Sequence, residues 1–304
     1  MKPVLLAHEV YVLNTKDMQT AMLTDSPNPF VSLKSNATEF ALWGIGILVL
    51  VIIVFRMAFW KRLRRFVSPK FDRLKKHAPN IVRVTLAVCI GFSAYSNALF
   101  GPELSLPTLF GSYASAIQIL LYASAAMLLF KFWTKLAAAI IIFIFLSAFL
   151  KSGNYVIAYL GYLGAALFVM LPPHKEWSFL LLRVCYGSSI IFAAIFAKLI
   201  HSNLALMTIK NYHLTNTMHF EPMFLVLGAL IIECAIGVCI IIGFELRFSI
   251  LAFMGFLVSS LLFFGEAIWP HLILFGLNAA IFAHGYDRYT LFRRRSARSL
   301  EPAM

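Results

Sequence analysis

Glu233 is an ionisable residue in an otherwise apolar run, Leu-Ile-Ile-Glu-Cys-Ala-Ile over residues 230–236. An acid in hydrocarbon costs a few kcal/mol or more unless it is paired or protonated. Two kinds of role follow: a proton carrier or substrate contact facing a helix bundle's interior, or a structural ion pair, with Arg183 as a candidate partner. A second group lies between residues 198 and 221, where His201, Met207, His213, Met218, His219 and Glu221 gather in a polar stretch. Imidazole and thioether together suit copper, so His201, His213, Met218 and His219 are candidate ligands. Their spacing matches no metal motif, and loop histidines are more commonly solvated or bonded to backbone. Glu266 and His271 border Pro270 and could join the same pocket. Arg183 and Arg83 sit near the starts of apolar runs, where a long side chain can snorkel to headgroups. Arg247 and Glu245 read most simply as helix-end charges. Cys89, Cys185, Cys234 and Cys239 form no C-x-x-C pair and lie within apolar runs, where a free thiol behaves as a small hydrophobe. The serines have no evident His and Asp partners for a hydrolase triad.

The elements that must position these residues are transmembrane helices. Hydrophobic residues make up 61% of the 304 and charged residues 13%, with 29 Phe and a mean hydropathy of +0.84. Such values lie outside the range of soluble domains. A bilayer core about 30 Å thick requires roughly 20 apolar residues of helix. The apolar runs are continuous rather than alternating, which selects helices over a barrel. They predict an all-α polytopic membrane protein with about nine spans, near 40–60, 81–100, 111–130, 136–150, 155–171, 179–200, 223–244, 248–268 and 271–282. The net charge of +13 does not point to nucleic acid. Its main cluster at 61–76 and the arginines at 293–298 follow apolar runs, as positions that set topology and touch anionic headgroups do.

Lys and Arg fall mainly in alternate gaps, which predicts an extracytoplasmic N-terminal tail (1–38), a first span (39–60), a basic cytoplasmic linker (61–79) and a basic cytoplasmic tail (291–304). Between them an internal duplication is expected, with four-helix repeats over 80–173 and 177–290. Arg83-Val84 and Arg183-Val184 each open a span, and Phe92-Ser93-Ala94 and Phe192-Ala193-Ala194 follow at equal distances. Repeats entering from the same side are parallel, related by an axis along the membrane normal.

The second repeat carries Arg183 in its first helix and Glu233-Cys234-Ala235-Ile236-Gly237 in its second. Gly243-Phe244-Glu245-Leu246-Arg247 closes that helix, and Phe282-Ala283-His284-Gly285-Tyr286-Asp287-Arg288 ends the last. In these motifs it resembles the DoxX family of four-helix membrane proteins; the first repeat looks like a degenerate copy without the Glu. The resemblance implies a bacterial inner-membrane protein; the alternation of Lys and Arg, with an odd number of spans, places the N-terminus outside and the C-terminus in the cytoplasm. Together with the His and Met residues of 198–221, the resemblance leads us to expect a component of a redox, sulfur/quinone or metal-handling pathway, with quinone (from the resemblance) or copper (from those side chains) as cofactor and a membrane or periplasmic partner protein beside the membrane lipid. The alternatives are a small-solute or ion transporter using Glu233, and a scaffold subunit without chemistry. Whether the chain is an enzyme stays open.

Overall fold

The structure is a computed structural model that describes residues 24–38, 40–42, 44–46, 49, 71–172, 175–215, 221–264 and 268–291. Most of the expected first span, the basic residues 61–70, the arginines at 293–298, and Met218, His219 and Glu266 lie outside the described residues. Within them the chain is all-helical. The principal helices are α1 Ala78–Tyr95, α2 Ala114–Leu129, α3 Thr134–Ser152, α4 Leu160–Met170, α5 Glu176–Ile195, α6 Ser202–Asn211, α7 Pro222–Ile242, α8 Leu246–Phe264 and α9 Leu272–His284.

Five helical stretches among the described residues are long and apolar enough to cross a bilayer: Arg73–Tyr95, Leu106–Leu129, Thr134–Met170, Glu176–Ile200 and Pro222–Ile242. The expectation of about nine separate spans is thus met only in part. The two expected spans at 136–150 and 155–171 fall, but for Leu171, within one 37-residue apolar stretch, Thr134–Met170, in which the 3-10 segment Gly153–Tyr159 separates α3 from α4. The final helix α9 has 13 residues, about 20 Å at 1.5 Å per residue, and is shorter than a bilayer core. Its apolar run is interrupted at Pro270, which instead sits in the 3-10 turn Trp269–His271. The stretch 198–221, expected as a polar loop, contains α6, whose Leu204, Ala205 and Ile209 are buried.

Local chemistry explains the helix limits. Glu221 caps α7, its carboxylate accepting from the Phe224 N–H at 2.9 Å, with Pro222 in the first turn where its missing donor costs nothing. Gly243 ends α7 in the left-handed region at φ +71°, a conformation that side chains other than glycine disfavour.

The packing exchanges partners between the two halves. Within the first half α1, α2, α3 and α4 contact in sequence, and within the second α5 packs on α7, α7 on α8 and α8 on α9. Across the halves α4 packs on α5 and α9 packs on α1. One continuous core joins both halves, running from Val82, Leu86 and Ile90 through Tyr162 and Tyr186 to Leu277 and Ile281. Outward positions carry large apolar groups such as Leu150 at 85% and Leu262 at 81% exposure. Such a surface suits hydrocarbon, not water.

Candidate functional site

Two polar constellations lie at opposite ends of this bundle. At the end bearing the α7–α8 turn, Arg183 is fully buried. Its Nη2 lies 3.6 Å from Asp287 Oδ1 and donates to the Tyr289 carbonyl, while the guanidinium rests over the Phe179 ring. Burial holds the Asp287 carboxyl above its ordinary range, against the pull of the Arg183 charge. Arg247 is buried too. Its Nε donates to the Phe282 carbonyl at 3.0 Å and its Nη2 pairs with Asp72 at 2.8 Å. Tyr286 donates to Glu245.

Two expectations are corrected here. Arg183 does not snorkel and does not pair with Glu233; it is enclosed because residues 285–291 fold back over it, with the Leu291 N–H donating to the Ile242 carbonyl. Glu245 and Arg247 stand at the α7–α8 turn, as expected, and the same returning segment covers them. The glycines of the two motifs make the room. A Cβ on Gly243 would run into Arg183 Nη1 and come within 2.9 Å of Thr290 Cα, and one on Gly285 would lie 2.5 Å from Arg247 Nη2. Arg83 reaches instead to the carbonyls of Leu128 and Leu129 in the last turn of α2, where no further helical turn follows.

At the other end lies a cavity of about 320 Å³, within the roughly 300–1,000 Å³ typical of small-molecule sites. Its walls are aromatic and apolar. Tyr155 and Tyr159 come from the segment leading into α4 and Tyr162 from α4 itself, Phe192 from the end of α5 and Phe196 from the turn after it, and Phe253 and Phe256 from α8. The walls are braced by hydrogen bonds from Tyr162 to the Phe100 carbonyl at 3.1 Å and from Ser189 to the Ala158 carbonyl. Glu233 and Lys198 face this cavity and form an ion pair at 2.9 Å, with side chains 14% and 17% exposed.

Lys198 reaches Glu233 because α5 does not end cleanly. It passes into one turn of π-helix, Phe196–Ile200, a rare irregularity frequent at functional sites. Phe196, Ala197 and Lys198 all line the cavity. Glu233's partner is therefore Lys198, at the start of the stretch 198–221 that the sequence presents as polar. The signal available was a lysine within reach of a helix end on the side where Glu233's helix begins.

His201 caps the π turn with its ring 4.6 Å from that of Phe196, and burial lowers its imidazole below the ordinary range. His213 follows α6 with φ +51°. Among the described residues no three His, Cys, Asp or Glu side chains gather as metal ligands do, and Glu221 is engaged as the α7 cap. His271 is buried and lines the cavity wall. The four cysteines are free thiols. A scan against protein-family models and searches of curated proteins and of solved structures each return no match.

Proposed function

We propose that this chain is an integral membrane protein that binds a small apolar molecule bearing hydrogen-bonding oxygens, of the quinone class, in the aromatic cavity. The observation that carries this reading is the Lys198–Glu233 pair set into walls of Tyr and Phe. Small-molecule sites combine a mostly apolar lining with a few placed polar groups in this way. A planar ring stacks against aromatic walls, and the Lys198 ammonium is a donor for a carbonyl oxygen. The DoxX-like motifs of the second half point in the same direction.

The underlying architecture we read as two parallel four-helix repeats. Two crossings support it. Gly164 of α4 packs where a Cβ would lie 2.6 Å from Cys185 Cβ in α5, and Gly276 of α9 packs where one would lie 2.6 Å from Thr85 Cβ in α1. Thr85 and Cys185 each stand two residues after the arginine that marks its repeat. The same contact is thus made twice, once in each direction between the halves.

The test is a titration of the purified protein with decylubiquinone, followed by quenching of intrinsic fluorescence. Saturable quenching is expected, and Lys198→Met should weaken it by roughly 2- to 10-fold, the worth of one hydrogen bond. Absence of saturable quenching in the wild type would remove the reading. A second reading, proton-coupled solute movement through Glu233, is favoured by the placement of a carboxylate inside α7 beside a cavity. It requires that proteoliposome uptake driven by a pH gradient be lost in Glu233→Gln.

A further inference from the structure

We infer that the cavity is open sideways to the hydrocarbon between α7 and α8, so that its occupant is a neutral-headed molecule with a long acyl or prenyl chain. The head would sit at Lys198–Glu233 and the chain would leave past Phe256. This rests on the reading of the cavity as a ligand site and adds the ligand's class and route.

The first support is where the cavity wall meets the outer surface. On α8 the residues facing the cavity are Phe253, Phe256, Leu257 and Ser260. Phe253 and Leu257 are buried, but Phe256 is 37% exposed. Its neighbours on that edge of the helix, Ala252 and Ser259, are exposed as well. Residues three and four apart share a helix face, so Phe256 stands at the rim where the lining face turns outward.

The facing helix has a matching rim. Leu225, Ala229 and Glu233 of α7 line the cavity, and Ile232, on the edge of that same face, is 40% exposed. Helices α7 and α8 are joined through Gly243, Phe244 and Glu245. Ile232 and Phe256 lie equally far along the chain from Phe244, which puts them at the same depth in the bundle. Both rims are hydrocarbon side chains, and the neighbouring outer positions, Ile231, Leu251 and Val258, are exposed and apolar. A water-soluble solute gains nothing by such a doorway, whereas a chain dissolved in the bilayer passes it without desolvation.

The second support is charge. Lys198 and Glu233 neutralise one another at 2.9 Å, and among the described residues the other carboxylate at the cavity wall is that of Glu103. The site offers hydrogen bonds without excess positive charge, which disfavours a phosphate head and favours an uncharged hydroxyl or carbonyl.

The experiment reconstitutes the full chain in phosphatidylcholine nanodiscs doped with either diacylglycerol or phosphatidic acid, each carrying a diazirine on one acyl chain close to its ester, beside the head, followed by irradiation and peptide mapping. With the diacylglycerol probe we expect adducts within residues 192–198 and at Glu233, at least fivefold above the phosphatidic acid probe, and their loss in Ala193→Trp, which fills the cavity. Ala229→Phe serves the same purpose from the opposite wall should the first variant fail to give monodisperse protein. Adducts confined to outer positions such as Leu251 and Val258, equal yields from both heads, or insensitivity to the filling variants would overturn the inference. Cavity labelling by the diacylglycerol probe in a protein that does not bind decylubiquinone would retain the long-chain occupant and discard the quinone reading. Quinone binding with no cavity labelling would do the reverse.

Discussion

Replacing Glu233 by Gln keeps the shape of the side chain but removes the carboxylate that pairs with the Lys198 ammonium at 2.9 Å. Breaking one member of a buried pair costs about 3–5 kcal/mol. The pair here is not fully enclosed, so we expect the lower end or below, read as a fall of several degrees in the thermal unfolding midpoint in detergent. The double variant Lys198→Met/Glu233→Leu removes both charges and should recover most of that loss. A double variant less stable than Glu233→Gln would contradict the pairing. The buried arginines give a second residue-scale prediction. Gly285→Ala combines a φ of +68° with a Cβ 2.5 Å from Arg247 Nη2 and should cost on the order of 1–3 kcal/mol. Gly228→Ala on α7, where a Cβ meets nothing within 4 Å, should be neutral. Equal effects at the two sites, measured by thermal unfolding, would count against the packing described.

Helix crossings are set by glycines whose meaning is invisible along a single element. Gly187 and Gly237 face each other where α5 crosses α7: a Cβ on either would meet the other's carbonyl oxygen, at 2.6 and 2.8 Å. Small residues let backbones approach in a membrane, where helix association depends on van der Waals contact. Gly276→Ala at the α9–α1 crossing should destabilise by about 1–3 kcal/mol through overpacking. In a Thr85→Gly background the same change should add little, because the group it strikes has gone. A double-mutant cycle on unfolding midpoints reads this coupling, and additive losses would mean that the two residues do not touch. The elements were legible to different degrees. Helices occur at eight of the expected spans, because a run of apolar residues has no other way to satisfy its backbone in lipid. The division of residues 134–170 by a 3-10 segment, the π turn at 196–200 and the amphipathic α6 were not legible. Each depends on what the backbone packs against, and periodicity does not report that.

At the scale of the whole molecule, the orientation predicted from Lys and Arg can be checked on described, exposed positions. With a membrane-impermeant maleimide on intact cells, Lys210→Cys should react and Lys131→Cys should not until the membrane is opened. The opposite pattern would invert the proposed topology. The amino-acid sequence by itself determined that the described chain is helical and apolar enough to cross a membrane, because burial of backbone polar groups in hydrocarbon is a local requirement that each segment meets alone. It also singled out Glu233, Arg183 and Arg247, since a charge inside an apolar run stands out without any neighbour being known. Only the tertiary structure decided their partners. Lys198 is 35 residues from Glu233 and Asp287 lies still farther along the chain from Arg183. Pairs at such separations are chosen by which helices cross and where a chain end folds back. The cavity likewise exists only between helices from both halves, so no stretch of sequence carries it alone.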